Sequence, residues 1–391
     1  MSESLITRQE EFDDLCGHIR QCGVVAFDTE FVAEDYFRPR LCLLQFGTPE
    51  RVAAVDPFEV LDLSAWWSLM TDDVTTIIVH GGREEVRFGH QFTGMLPGKL
   101  VDVQIAEGLL SRGYPLSYAS LAQRVLNVRV HSHETRTEWR RRPLTKEQIS
   151  YALDDVRHLP SIWARQKQQL TKRGRLTWAE AEFERFMREA TRERDGEAWR
   201  RVSGAVKLNR RGMAVFRELY VWRDQVAAER DRPARSVLRD DLLIEIAKRQ
   251  PRTTDDATSV RGMQRRDYIR LAPELVDCVH RALSLPDDQL PEKAPPPPPV
   301  AQNEVLGKVL GIALAQRCAE LGISTTLVGT SSDLQDLVRW DVADKKQGPP
   351  PRLMQGWREE VCGDLLSDVL EGKVSMRIVD PNADAPLRFE R

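Results

Sequence analysis

Two carboxylates stand two residues apart at the end of an apolar run. Asp28 and Glu30 close the segment GVVAFDTEF (23–31), whose β-branched and aromatic residues are typical of a strand. Side chains at positions i and i+2 of a strand point to the same face, so the two carboxylates would lie side by side. In a buried strand, divalent cations with oxygen ligands are the natural way to neutralise them. Taken alone, the pair is a weak signal and favours a solvated strand end over a metal site.

A tyrosine and an aspartate are spaced one helical turn apart in TKEQISYALDDVRHL (145–159). Tyr151 and Asp155 would share one helix face because residues four apart are neighbours there. A metal-binding aspartate next to a phenol that orients water suits a hydrolytic site. The alternative is an ordinary amphipathic helix with Tyr151 in the core. Asp154 is the less favoured ligand of the two adjacent aspartates.

A third polar cluster follows the strand-like run TTIIVHGG (75–82) and opens a helix. The helix dipole alone would favour Glu84 and Glu85 in a first turn. The functional alternative makes one of them a further metal ligand. We expect His80 to be a buried, hydrogen-bonded histidine near the site rather than a ligand.

In this order and spacing, the three clusters resemble the DEDD exonuclease superfamily, and specifically its ribonuclease D family. The resemblance extends to EFVAEDYFRPRLCLLQFG (30–47), which is similar to the family's first hairpin, and to TRTEWRRRPLTKEQISYALDDVRHL (135–159), which is similar to the segment around its third motif. It covers residues 5–170. It implies an α/β exonuclease domain with an RNase H-like mixed sheet and helices, in the subgroup that has tyrosine at position 151.

The resemblance also implies the roles of the site residues. Asp28, Glu30, Glu85 and Asp155 would bind two divalent metal ions, Mg²⁺ or Mn²⁺, and Tyr151 would position the attacking water. Two ions roughly 3.5–4 Å apart would stabilise both the attacking and the leaving oxygen of the terminal phosphodiester.

Two positions depart from the family pattern. Glu85 stands where the family has aspartate, and Ala33 stands where its hairpin has arginine. The longer glutamate could displace an ion by about an ångström, and such a shift can lower the rate by ~100-fold. Asp102 matches a recurrent acidic position of the family, so we expect Asp102 and His80 to support the site without binding the ions.

The rest of the chain has a helical pattern. Residues 214–230 and 237–249 are amphipathic, and a proline follows each of them. Two stretches resemble HRDC domains, the second more weakly, so two small all-α domains should follow the α/β domain. The predicted organisation is an exonuclease domain (1–170), a helical connector (171–205), an HRDC domain (206–288), a Pro-rich linker (289–302), a second HRDC-like domain (303–376) and a C-terminal tail (377–391).

The charge is unevenly distributed along the chain. Residues 1–100 carry 8 Lys+Arg against 17 Asp+Glu, whereas residues 101–300 carry 38 against 29, so the net charge of −3 does not exclude a polyanionic partner. The HRDC resemblance implies substrate binding, with arginines as the phosphate contacts. Each of them singly is more often part of a solvated helix face. The candidates are Arg210, Arg211, Arg217, Arg223 and Arg235.

The preferred interpretation is a metal-dependent 3′–5′ exoribonuclease that releases nucleoside 5′-monophosphates from RNA with a free 3′ end. Family analogy suggests tRNA precursors as the substrate. A DNA 3′–5′ exonuclease and a non-catalytic RNA-binding protein with a degenerate metal site at Glu85 stay open as alternatives.

Composition predicts where such a protein works. The sequence contains no apolar run of 18 residues, its N-terminus does not resemble a secretory signal, and its six cysteines form no CxxC pair. We therefore expect a cytoplasmic protein with no membrane contact and without a zinc or disulfide framework. No protein partner is implied.

Overall fold

The computed structural model describes residues 2–130, 137–192, 198–292, 303–343 and 345–391. The chain divides into two compact units. The first unit contains Met1–Thr29, Leu43–Ala190 and Pro297–Arg391, and the second contains Glu30–Cys42 and Thr191–Pro296.

A mixed six-stranded sheet has the strand order β1-β4-β3-β2-β5-β6. Its strands are β1 (Ser2–Ile6), β2 (Val24–Val32), β3 (Arg40–Gly47), β4 (Arg51–Val55), β5 (Thr76–Val79) and β6 (Leu100–Asp102). β1 runs parallel to β4, β5 runs parallel to both β2 and β6, and β3 is antiparallel to β4. The predicted mixed α/β sheet is confirmed, and the strand-like runs 23–31 and 75–82 correspond to β2 and β5, whereas β1 and β6 were not predicted.

Helices cover the sheet and continue into the C-terminal part of the first unit. Those around the sheet are α1 (Gln9–Cys22), α2 (Ser64–Thr71), α3 (Arg83–Thr93), α4 (Val103–Leu110), α5 (Tyr118–Leu126), α6 (Lys146–Arg157), α7 (Leu159–Lys172) and α8 (Leu176–Arg192). The run LVDVQIAEGLL (100–110), whose pattern predicts a helix from its first residue, forms one only from Val103. Residues 100–102 form β6, because the Asp102 carboxylate caps α4 by accepting hydrogen bonds from the amides of Gln104 (2.8 Å) and Ile105 (3.4 Å).

The two faces of the sheet have different coverings. Phe27 of β2 contacts Phe46 of β3 and Trp66 of α2, with ring centroids 5.3 and 4.6 Å away, so α2 packs on this face. Gly47 alternates with Phe46 and therefore faces the other side, where a Cβ would lie 2.6 Å from the Val156 carbonyl oxygen. Helix α6 thus covers the face opposite α2.

The C-terminal part of the first unit is helical up to residue 370 and ends in a hairpin. Its helices are α14 (Asn303–Leu321), α15 (Thr325–Val328), α16 (Ser331–Val338) and α17 (Asp364–Leu370), with π-helical turns at Arg339–Ala343 and Glu359–Gly363. Residues predicted as a tail contribute to the antiparallel pair β7 (Ser375–Ile378) and β8 (Leu387–Glu390). The Ser324 amide donates to the Gly108 carbonyl of α4 at 2.8 Å, which fixes this segment against the helices around the sheet.

A buried ion-pair cluster joins α8 to the C-terminal segment. The Glu182 side chain is 1% exposed and lies 2.8 Å from the guanidinium of Arg358, which is 5% exposed. The Trp357 indole and the Arg185 guanidinium also donate to Glu182, at 3.1 and 2.6 Å. Burial raises the pKa of Glu182, but these donors outweigh burial and hold the pKa below its usual value.

The second unit is built on five helices. They are α9 (Arg210–Glu229), α10 (Ala234–Val237), α11 (Asp240–Arg249), α12 (Thr254–Ser259) and α13 (Arg266–Leu283). Its core includes Phe216, Leu243 and Leu275, each fully buried, and Phe37 from the β2–β3 connection packs against it. The predicted helices at 214–230 and 237–249 are confirmed.

The predicted domain boundaries stay a prediction. Residues 293–302 of the predicted Pro-rich linker lie outside the described residues. Among the described helices, none has the length and apolar character that crossing a bilayer requires.

Candidate active site

Strand β2 carries the first pair of candidate ligands. Asp28 and Glu30 are half-buried, and Thr29 between them is buried. Thr29 alternates with both carboxylates, as does Phe27, whose ring packs toward α2. Asp28 therefore points to the face that α6 covers, and the alternation of the strand gives Glu30 the same direction.

Helix α6 supplies the second pair. Its start is fixed by a capping box, in which Thr145 accepts from the Gln148 amide and the Gln148 side chain accepts from the Thr145 amide. Tyr151 and Asp155 share a face, and Tyr151 forms a side-chain hydrogen bond with Asp155. Burial raises the pKa of Asp155 to about 7, with a further rise from the charge of Asp154, while the Tyr151 hydrogen bond opposes both.

Asp154 has a structural role that separates it from its neighbour. Its carboxylate accepts from the Arg157 guanidinium at 2.9 Å, and its carbonyl accepts from the Tyr118 hydroxyl at 2.8 Å. The Tyr118 contact ties α6 to α5, and the Arg157 contact engages the Asp154 carboxylate within α6, which agrees with Asp155 as the preferred candidate ligand of the two.

Glu85 approaches β2 from α3. Its side chain is buried, and the Thr29 hydroxyl donates to its Oε1 at 2.6 Å. Because Thr29 lies between Asp28 and Glu30, the Glu85 carboxyl group meets β2 at the residue that separates those two carboxylates. Burial raises the pKa of Glu85 to about 7; the Thr29 hydrogen bond lowers it, and the charges of Glu84 and Asp102 raise it.

We expect Glu85→Gln to stabilise the metal-free protein at alkaline pH. Between the unfolded pKa of about 4.3 and the folded pKa of about 7, the native state holds a proton that the unfolded state lacks. The unfolding free energy of the wild type therefore falls as pH rises through this window. The unfolding free energy of the variant should exceed that of the wild type by on the order of 2 kcal/mol at about pH 8 and by little at about pH 5. Thermal unfolding in EDTA at both pH values measures this, and an equal difference at the two would contradict it.

Asp102 is close enough to Glu85 for its charge to raise the pKa of Glu85, and His80 is close to Asp102. Asp102 is 1% exposed, caps α4, and stands beside Val79 in the β5–β6 register. Burial raises its pKa, and the nearby His80 opposes that rise. The His80 Nε2 atom lies 3.0 Å from the Leu116 carbonyl oxygen, so the imidazole is hydrogen-bonded to the backbone.

Gln45 is a polar residue of this region that sequence reasoning missed. It is fully buried in β3 and alternates with Phe46, so its side chain points to the α6 face. Neither of its amide side-chain atoms has a hydrogen-bond partner among the described residues. A single amide within the apolar run LCLLQFG was the available signal.

The four candidate ligands form a donor set of carboxylate oxygens. Hard cations such as Mg²⁺ and Mn²⁺ prefer such oxygens over nitrogen or sulfur. Burial raises the pKa of both Asp155 and Glu85, so a bound cation would stabilise the charged form that burial disfavours. The residues present therefore fit divalent cations.

The structure corrects the set of candidate RNA-binding arginines. Arg223 was predicted to face solvent, but its side chain is 4% exposed and donates to the Leu238 carbonyl and to Asp240. Arg210 and Arg211 donate to backbone carbonyls near the end of α13. Arg223 is therefore enclosed by the second unit itself, whereas Arg210 is exposed and Arg211 half-buried, so their role as RNA contacts stays a prediction.

Two of the candidates differ in exposure. Arg217 is half-buried on α9. The Arg235 side chain is 82% exposed and pairs with Asp240 at 3.2 Å. It is the better placed of the two to contact a phosphate.

Comparisons with known proteins identify the family to which the two parts of the chain are similar. A family model described as a 3′–5′ exonuclease matches residues 4–171, and an HRDC domain model matches residues 212–279. The chain is similar to ribonuclease D of Bartonella henselae, with 30% identity over 95% of this chain and 90% of the relative. It is also similar to ribonuclease D of Pseudomonas paraeruginosa, with 31% identity over 91% of this chain and 94% of the relative.

A solved structure is similar over nearly the full length. It is the crystal structure of Escherichia coli RNase D, described as an exoribonuclease involved in structured RNA processing. The TM-score is 0.83 at 27% identity, and the match covers 95% of this chain and 99% of that chain.

Proposed function

The chain belongs to the ribonuclease D family of 3′–5′ exoribonucleases, and from that membership we propose that the carboxylates of β2, α3 and α6 form its hydrolytic centre. The proposed ligands of two divalent ions are Asp28, Glu30 and Asp155. The observation that carries the proposal is the hydrogen-bonded Tyr151–Asp155 pair on the helix that covers the Asp28 face of β2.

Each side chain has a proposed task in the hydrolysis. The ions, Mg²⁺ or Mn²⁺, would polarise the terminal phosphodiester and activate water. Tyr151 would orient that water, because its hydroxyl is already directed by Asp155. Glu85 would act through a bound water rather than directly, because its Oε1 is engaged by Thr29 at 2.6 Å.

The proposed substrate is RNA with a free 3′ end, released one nucleoside 5′-monophosphate at a time, with tRNA precursors as the natural class. Support comes from the second unit, where a cavity of about 720 Å³ is lined by Phe37, Arg38, Tyr220 and Arg235 among others. Aromatic rings that stack on bases and arginines that contact phosphates are the common means of holding single-stranded nucleic acid.

A 3′-labelled RNA tests the proposed reaction. We expect mononucleotides to be released with Mg²⁺ or Mn²⁺ and none to be released in EDTA. A labelled DNA of the same sequence should be degraded more slowly, and equal rates would favour the DNA exonuclease instead. Binding without release in either metal would identify a non-catalytic RNA-binding protein.

The double variant Arg38→Ala/Arg235→Ala should weaken RNA binding in a salt-dependent manner. A plot of log K against log[salt] has a negative slope, and each lost phosphate contact makes that slope shallower by roughly 0.7–0.9. Affinity should therefore fall by about 10-fold at low salt and less at high salt. Fluorescence anisotropy over a salt series measures this. Arg377→Ala is the matched control, because Arg377 is also an exposed arginine paired with a carboxylate. An unchanged slope would remove this cavity from the proposed RNA surface.

A further inference from the structure

Three potential metal ligands of different chemistry converge at one end of β2. His18 and Cys22 lie four residues apart on α1 and so share a helix face. Glu50 belongs to the turn between β3 and β4. One ligand atom from each residue lies within 4.8 Å of the other two.

The spacing of these atoms matches that of ligands around a small tetrahedral ion. The Cys22 Sγ and His18 Nε2 atoms are 3.4 Å apart. Bond lengths of about 2.3 Å to sulfur and about 2.0 Å to nitrogen at a tetrahedral angle would separate the two atoms by roughly 3.5 Å. An ion could therefore bind both without rearrangement of α1.

The turn that carries Glu50 is held rigidly beside the helix. The buried Thr48 hydroxyl accepts from the amides of Arg51 (3.0 Å) and Glu50 (3.3 Å). It also forms a hydrogen bond of 3.0 Å with His18 Nε2, which directs this nitrogen toward the cluster, and a bound ion would replace that hydrogen bond. The sequence contains no metal motif here because the ligands come from separate segments.

We propose that His18, Cys22 and Glu50 bind a divalent ion of the zinc class, with solvent water as the fourth ligand. Mixed nitrogen, sulfur and oxygen donors select such borderline ions over Mg²⁺. Glu50 is exposed and the other two are half-buried, so the ion can enter from solvent. The site is separate from the catalytic carboxylates: Cys22 ends α1 just before β2 begins, whereas Asp28 lies further along that strand. The bound ion would fasten α1 to the β3–β4 turn.

Cobalt(II) titration of the full chain tests the proposal, because a thiolate ligand gives a near-ultraviolet charge-transfer band. Cys22 is the one cysteine of the six that is not fully buried, so the band reports on this site. We expect the wild type to show the full band at one equivalent of Co²⁺. Added Zn²⁺ should displace the Co²⁺, remove the band and raise the melting temperature of the protein. Excess Mg²⁺ should do neither.

Variants identify the site. Cys22→Ser should remove the band. Both Cys22→Ser and His18→Gln should weaken Zn²⁺ binding by about 100-fold or more, because replacing a residue that only hydrogen-bonds to a metal ligand already lowers metal affinity by about 10–100-fold. Glu10→Gln, an exposed charge loss on the same helix, should change nothing. Asp28→Asn should retain the band, which separates this site from the catalytic one. No band in the wild type, or a band that survives in Cys22→Ser, would overturn the proposal.

Discussion

Replacing Asp28 by asparagine should abolish nucleotide release while leaving the fold and RNA binding intact. Asparagine keeps the shape of the side chain but removes the charge that holds the ions, and the half-buried position at β2 tolerates a neutral amide. Loss of the charge that fixes a catalytic ion should lower the rate by roughly 10³-fold or more. Single-turnover hydrolysis of a 3′-labelled RNA in Mg²⁺ measures the loss.

The matched control for this experiment is Asp154→Asn. Asp154 is an aspartate beside Asp155, but its carboxylate pairs with Arg157. We expect its variant to retain activity within about 3-fold, since an ion pair that solvent still reaches contributes about 1 kcal/mol or less. Asp28→Asn should bind RNA in EDTA as tightly as the wild type and melt at the same temperature. Normal activity in Asp28→Asn would exclude Asp28 as a ligand, and an unfolded variant would show that its role is structural.

Glu182→Gln should produce the largest loss of stability of any single replacement proposed for this chain. The substitution keeps the size of the side chain but leaves the buried Arg358 without a counter-charge. Breaking a buried ion pair from one side costs about 3–5 kcal/mol. The urea midpoint of the first unit should fall accordingly.

Two further variants separate charge from packing. Glu189 pairs with the same Arg185 from a side chain that is 49% exposed, so Glu189→Gln should cost under ~1 kcal/mol. Glu182→Met/Arg358→Met should recover most of the stability lost in Glu182→Gln, because an apolar pair removes both buried charges. If Glu182→Gln unfolds at the same urea concentration as Glu189→Gln, the cluster does not hold the C-terminal segment in place.

Sequence patterns predicted the parts of the candidate site that depend on local periodicity. The alternation of a strand places Asp28 and Glu30 on one face, and one helical turn brings Tyr151 to Asp155. Both relations depend only on residues close in sequence. The contact between Thr29 and Glu85 spans 56 residues and depends on how α3 packs, so no local pattern contains it.

The predictions that the structure contradicts failed for the same reason, because the features concerned depend on contacts between residues that are distant in sequence. Arg223 follows the polar spacing of an amphipathic helix, but Tyr220 and Asp240 enclose its guanidinium after folding. Strand β1 is too short and polar to be recognised alone, and it forms because β4 offers a parallel partner. The sequence of residues Leu100 to Asp102 resembles the beginning of a helix, but these residues form a strand because they pair with β5.

The chain returns to its first unit after completing its second, and this order has a consequence for biosynthesis. Glu182 and its partner Arg358 are 176 residues apart. At roughly 5–20 residues per second, about 10–35 s of translation separate the two. During that interval α8 must leave the ribosome with an acidic group that has no buried counter-ion, while Thr191–Pro296 can already fold. A nascent chain that stalls in this interval would expose the surface of α8 that the C-terminal segment covers in the finished chain.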